Sequence, residues 1–221
     1  MNIELARFNM IEQQIRPWDV LNLGVLELLA IVKREDFVPP ALRALAFVDT
    51  EVPLPGGQCM LAPKVEARIL QELAVHKHER VLEIGAGSGH MAALLAHKAQ
   101  HVTSLEIDPD LASFAATNLK RAGVMNAKVV NADAAAGLAG DLVKEGPFDV
   151  IVLSGSVAEV PETLLSQLKV GGRLAAIVGD EPVMRAILIT RSDDRGFERT
   201  VLFDTVAQRL RGFAEPTKFH F

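Results

Sequence analysis

The sequence holds a single cysteine, Cys59, in 221 residues. One thiol cannot close an intramolecular disulfide or build a cysteine-based metal cluster, so the chain reads as a protein of a reducing compartment without a metal centre. Long apolar runs are missing too, and none approaches the roughly 20 residues that a membrane-spanning helix needs. From Met1 to Arg16, Glu4, Arg7, Glu12 and Arg16 interrupt the apolar side chains, which is not the pattern of a signal peptide. A cytoplasmic location without a membrane partner is expected. Positive charge is not in excess: 23 Lys and Arg against 28 Asp and Glu leave a net charge of −5. That sign opposes the attraction nucleic acids exert on their binders, so no nucleic-acid partner is expected. Oligomeric state is left open by the sequence.

What is present suits a globular enzyme. Hydrophobic residues make up 49% and charged residues 23%, enough for one sizeable core, and the length fits one α/β unit with an appendage. Leu21, Val25, Leu28, Leu29 and Val32 recur at helical spacing before Pro39-Pro40, which predicts a helical N-terminal appendage. Pro53, Pro55, Gly56 and Gly57 mark a loop, and Pro63 opens a helix running to about Val75. We divide the chain at 62, into an appendage with its loop (1–62) and an α/β unit (63–221), expected to form one compact body.

Beyond Val75, β-type runs at 81–84, 102–107, 128–130, 148–153 and 173–178 alternate with helical patterns at 91–99, 109–121 and about 162–168. Such alternation predicts a doubly wound, mostly parallel sheet with ligands outside the carboxyl ends of its strands. Two further β-type runs, 185–191 and 197–206, flank the turn-forming Asp193-Asp194-Arg195-Gly196. They predict a closing antiparallel hairpin.

The chemistry centres on Glu83-Ile84-Gly85-Ala86-Gly87-Ser88-Gly89-His90, a buried strand running through a glycine turn into a helix. Glycines there let the backbone approach a ligand while free amides at the helix start face it. Glu106, 21 positions beyond Gly85 at the end of the next strand, is placed to accept from two ribose hydroxyls, which implies adenosine. A dinucleotide fingerprint needs its third glycine one residue later, where His90 stands, so the spacing excludes NAD.

The same residues resemble the first motif of class I S-adenosylmethionine-dependent methyltransferases, with Glu106 and Asp133 at that superfamily's second and third acidic positions. The resemblance implies S-adenosyl-L-methionine as cofactor. Glu83 with the glycine turn of Gly85, Gly87, Ser88 and Gly89 would serve its methionine end, Glu106 its ribose hydroxyls and Asp133 its adenine amino group, with Ile107 and Ala134 as further cofactor-binding residues. A narrower likeness, over about Val32 to Val178, is to protein-L-isoaspartate O-methyltransferases, repair enzymes that methylate the α-carboxylate of isoaspartyl residues. It rests on Lys33-Arg34-Glu35-Asp36-Phe37-Val38, Pro53-Leu54-Pro55-Gly56-Gly57-Gln58, Pro147-Phe148-Asp149 and Gln167-Leu168-Lys169-Val170-Gly171-Gly172-Arg173-Leu174. It implies a protein or peptide carboxylate as substrate.

The departures concern the acceptor. Where that family reads Gly-Gln-Thr-Ile-Ser, this chain reads Gly57-Gln58-Cys59-Met60-Leu61. Leucine replaces a hydroxyl that in the family lies beside the transferring methyl, and it has neither donor nor acceptor. The loop after the fourth strand reads Ser154 to Glu159, and Leu210-Arg211-Gly212-Phe213 replaces a Val-Pro-Leu segment. Gln58, Cys59, Met60, Leu61 and Ser154 are the substrate-loop candidates, and no catalytic residue is assigned. His90, Ser154 and Glu159 are the candidate bases for a hydroxyl or amine acceptor, while a carboxylate acceptor needs none. Two alternatives stay open: a small-molecule acceptor, and a catalytically silent S-adenosylmethionine-binding module.

Overall fold

The structure, a computed structural model, describes residues 2–215. The N-terminal appendage is helical but broken. α1 (Ile3–Met10) is capped by Asn2, which accepts from the Leu5 amide at 3.1 Å. It runs through a π-turn into a tight turn at 16–18, where Asp19 takes a left-handed conformation. Asn22 caps α2 (Leu23–Ile31) in the same way. A short 3-10 turn over 40–47 follows Pro39, whose ring cannot continue a helix. β1 (Val52–Pro53) and β2 (Cys59–Met60) pair antiparallel around the Pro-Gly-Gly loop.

α3 (Pro63–Leu73) leads into the alternating part: β3 (Arg80–Ile84), α4 (His90–Lys98), β4 (His101–Glu106), α5 (Pro109–Arg121), β5 (Ala127–Asn131), α6 (Asp141–Glu145), β6 (Phe148–Val157), α7 (Glu162–Leu165), β7 (Leu168–Asp180), β8 (Val183–Arg191) and β9 (Phe197–Thr205). The sheet order is β5-β4-β3-β6-β7-β8-β9. The first five of these strands are mutually parallel, and β8 and β9 add antiparallel. The doubly wound sheet and closing hairpin are as expected. β6 and β7 run longer than the apolar runs that signalled them, and α6 was not foreseen.

Two-residue alternation divides the core between the sheet's faces. Val81, Val150, Val152, Ala175 and Ile177 face one side, packed with α3, α4 and the appendage residues Met10, Ile15, Leu26 and Leu29. Leu82, Ile84, Ile151, Leu153, Leu174 and Ala176 face the other, with Leu164 and Leu165 of α7. Trp18 packs edge-on against Phe203 of β9, ring centroids 5.0 Å apart, with Lys64 Nζ 4.7 Å above its ring. It therefore ties the appendage to the sheet.

Because the chain winds from β3 through β4 to β5 and then returns to the other side of β3, the carboxyl ends of β3 and β6 form the topological switch point, where such sheets open a crevice. Gly89 fixes the turn leaving β3. It has φ +82°, and a Cβ there would sit 3.0 Å from the Ala115 carbonyl oxygen on α5. Gly89→Ala is expected to lose about 1–3 kcal/mol from left-handed strain and this collision. Urea unfolding checks it, and a loss below about 0.5 kcal/mol, the scatter of neutral surface changes, contradicts the packing argument.

Candidate functional site: a cleft over the glycine turn

The turn after β3 is held by the neighbouring strand. The amides of Gly85 and Ala86 donate to the Leu105 carbonyl at 2.8 and 3.1 Å. The Glu106 carboxylate accepts from the Gly87 amide at 2.8 Å through one oxygen and from the Asp108 amide at 3.1 Å through the other. One acid thus joins the glycine turn to the loop that opens α5.

Above this turn lies a cleft with about 500 Å³ of free space, counted out into open solvent. Gly85, Gly87, Glu106, Ile107 and Ala134 line it, together with Gln58, Cys59 and Ser154. A smaller adjoining cavity shares Cys59, Gly85, Gly87 and Ser154 and adds Met60, Leu61, Glu83 and Ser88. Asp133 opens onto a neighbouring hollow beside Asn131 and Gly137, its Oδ1 accepting from the Ala135 amide at 2.9 Å. Gly89 lies against α5, away from both cavity walls. Glu159 is exposed, and His90 is buried behind the walls.

Several wall residues lie outside the site residues expected from the sequence, although Leu210 to Phe213 stand out there as a departure from the family's segment. Leu210, Arg211 and Phe213, on the segment after β9, close the main cavity. The segment is pinned to β6, where the Ser156 amide donates to the Gln208 carbonyl at 2.8 Å and the Leu210 amide to the Ser156 carbonyl at 2.9 Å. Leu210 packs so closely that a Cβ on Gly85 would lie 2.6 Å from its Cδ2. Glu66 of α3 reaches the smaller cavity from behind. It is ion-paired with Arg34 and accepts from His90 Nδ1 at 2.9 Å. Arg34 also donates to the Leu61 carbonyl at 2.7 Å, so a buried charge network fixes the backbone of the 59–61 loop. Arg34 stood in a charged run that looks solvated, and only burial reveals its task.

The electrostatics separate two buried acids. Burial pushes the Glu66 carboxyl up, but His90 and Arg34 outweigh it and hold it below its ordinary value, so Glu66 is ionised. Glu83, fully buried, is pushed up to about 8, chiefly by burial. The Ser104 and Ser154 hydroxyls, 2.5 and 2.8 Å from its oxygens, only partly offset this. Burial, with Glu51 adding to it, pushes the Cys59 thiol up to about 12. At neutral pH it is not a thiolate, hence not a nucleophile.

A parallel sheet with a glycine turn at the end of its first strand, an acid at the end of the next and a cleft at the switch point is the Rossmann-like methyltransferase architecture. Comparison with known proteins refines this. The family described as protein-L-isoaspartate(D-aspartate) O-methyltransferase (PCMT) matches residues 7–206, and the chain belongs to it. The protein-L-isoaspartate O-methyltransferase of Methanoculleus marisnigri is 38% identical over 189 residues, 86% of this chain and 84% of that one. A second relative of that name, numbered 2, from Marinobacter nauticus is 39% identical over 191 residues, 86% and 85% of the two chains. Among solved structures, a Plasmodium falciparum chain assigned to the same activity, in complex with S-adenosyl-L-homocysteine, superposes with a TM-score of 0.81. It is 23% identical, covering 93% of this chain and 98% of that one, a likeness of fold.

The raised Glu83 gives a signed pH dependence. Between its ordinary 4.5 and about 8, the folded protein holds a proton that the unfolded chain has released, so this group's contribution to stability falls as pH rises. Thermal unfolding of the native protein and Glu83→Gln from pH 5 to 8 is expected to show the native curve dropping relative to the variant. Parallel curves contradict the assignment.

Proposed function

We propose that the chain transfers a methyl group from S-adenosyl-L-methionine to the free α-carboxylate of isoaspartyl residues in proteins or peptides, in the cytoplasm. The observation that carries this reading is the cleft itself: the glycine turn, Glu106 and the 58–61 loop meet on one cavity system in a chain of this family. Among the described residues, no helix is long and apolar enough to cross a membrane.

The residues fit the methyl donor. Glu106 faces the main cavity with Ile107 and Ala134 beside it and would take the ribose hydroxyls while the apolar pair flanks the adenine. Asp133 would reach the adenine amino group. Gly85, Gly87, Ser88 and Glu83 would hold the methionine end, where the bare glycine backbone allows close approach. Gly89 supports the turn from behind. When bound, S-adenosyl-L-methionine supplies an electrophilic methyl carbon on a positively charged sulfur.

The chain's own contribution is alignment. A carboxylate with a reference pKa of about 3.9 is ionised at neutral pH and asks no proton of the protein. Positioning two reactants can supply roughly 7–11 kcal/mol of a barrier. Here the acceptor loop is fixed by Arg34 on the Leu61 carbonyl and by Gln208 Nε2 on the Gly57 carbonyl at 2.6 Å. Met60, Leu61, Leu210 and Phe213 make the walls apolar and exclude competing water. Ser154 lies on both cavities and supplies a hydroxyl at their junction.

Transfer of labelled methyl to an isoaspartyl peptide tests the proposal. Incorporation is expected, with none above background on the normal aspartyl peptide. Leu61→Ser restores a hydroxyl to the loop and should raise kcat/KM about tenfold, the worth of one hydrogen bond to a charged group. No incorporation by either protein at saturating donor contradicts the reading.

A further inference from the structure

An anionic acceptor needs a cation or a set of donors to replace its water, and the cleft offers little of either. Its acids are accounted for: Glu66 is committed to Arg34 and His90, Glu83 is buried between two serines, and Glu106 holds two amides. Leu61 brings no donor. Arg34 is 1% exposed and spent on Glu66 and the Leu61 carbonyl. Among the described residues lining the two cavities, Arg211 is the one cationic side chain.

Its setting suits recognition. The backbone beneath it is pinned to β6, so its root is fixed. The side chain itself is 41% exposed and pairs with Asp108, Nη2 to Oδ2 at 2.8 Å. That contact uses one of the five donors of a guanidinium, whose fork matches a carboxylate. Asp108 sits two residues past Glu106 and caps α5, accepting from the Asp110 and Leu111 amides through Oδ1. It parks the guanidinium at the cleft without burying it. Arg211 also falls in the segment where this chain departs from the family's Val-Pro-Leu, and Leu61 marks another departure. Arg211 shares the main cavity with Gln58 and Cys59, on the loop that leads to Leu61.

We propose that Arg211 is the specificity residue that receives the acceptor's carboxylate, with Asp108 holding the guanidinium ready until the acceptor competes for it. The assignment rests on the carboxylate-acceptor reading given above. Arg211 recognises substrate charge and takes no part in bond making, so its effect falls on KM rather than kcat.

Steady-state methylation of an isoaspartyl peptide, with calorimetric binding of S-adenosyl-L-homocysteine as a separate readout, tests it. Arg211→Ala should raise peptide KM at least tenfold with kcat and cofactor Kd within about twofold, and Arg211→Lys should recover part of the loss. Added salt should raise KM for the native protein and leave the alanine variant nearly flat, because screening acts on the charge pair. Asp108→Asn keeps a side chain that caps helices well and should leave KM unchanged or lower it. If R211A and D108N raise KM alike, Arg211 is only a strut between the segment and α5, and the proposal fails. If R211A weakens cofactor binding as much as peptide KM, the carboxylate it holds is the donor's, which also overturns it. An active native enzyme with R211A unaffected rejects the assignment alone, whereas an inactive native enzyme rejects the carboxylate reading and this assignment with it.

Discussion

The Glu106 carboxylate is the constraint on which the cleft depends. Accepting from the Gly87 and Asp108 amides at once, it sets the spacing between the turn after β3 and the turn after β4. Gly85, Gly87, Glu106 and Ile107, which line the main cavity, belong to those two turns. The arrangement follows from parallel pairing: β3 and β4 run in register from Arg80–His101 to Ile84–Leu105, so their carboxyl ends finish side by side. A side chain one residue beyond the register is then within reach of the neighbouring turn. A sheet of the same composition with β4 antiparallel would put Glu106 at the opposite end.

Around that frame the chain adds two clamps of different character. The first is buried: Arg34, Glu66 and His90 hold the 59–61 loop from behind, and Phe37 packs edge-on to His90 with centroids 5.3 Å apart. Buried ion pairs are poor sources of net stability but strict about geometry, since losing one partner leaves an uncompensated charge. The second is exposed: the segment after β9 crosses the cleft and ends in the Arg211–Asp108 pair. Exposed pairs are weak and readily exchanged. The 59–61 loop is thus rigidly backed, while the edge of the cleft at Arg211 is lightly held. His90 serves here as the structural partner of Glu66, not as a base exposed to substrate.

Much of this was legible in the sequence, and the division has a physical basis. The glycine turn and Glu106 are local in sequence or tied by strand periodicity, and periodicity predicts where a strand ends. The doubly wound sheet followed from the same signal. Glu66 was invisible because a glutamate on an amphipathic helix normally faces water, and only the tertiary approach of Arg34 and His90 makes its burial tolerable. Arg34 lies in a segment that resembles the family's, yet nothing local distinguishes it from Lys33. Leu210 and Arg211 stand out in the sequence as a departure, but the place of Leu210 over Gly85 and of Arg211 beside Asp108 depends on the long-range pairing of their segment with Ser156. Non-local pairing leaves no periodic trace.

The central claim is that an adenosyl methyl donor sits over Gly85 and Gly87 with Glu106 on its ribose. Calorimetric titration of S-adenosyl-L-homocysteine into the native protein and into Glu106→Ala tests it most directly. The account predicts stoichiometric binding to the native chain and at least a tenfold weaker Kd in the variant, about 1.4 kcal/mol or more. Failure of the native protein to bind, or equal affinity in the two, would contradict it.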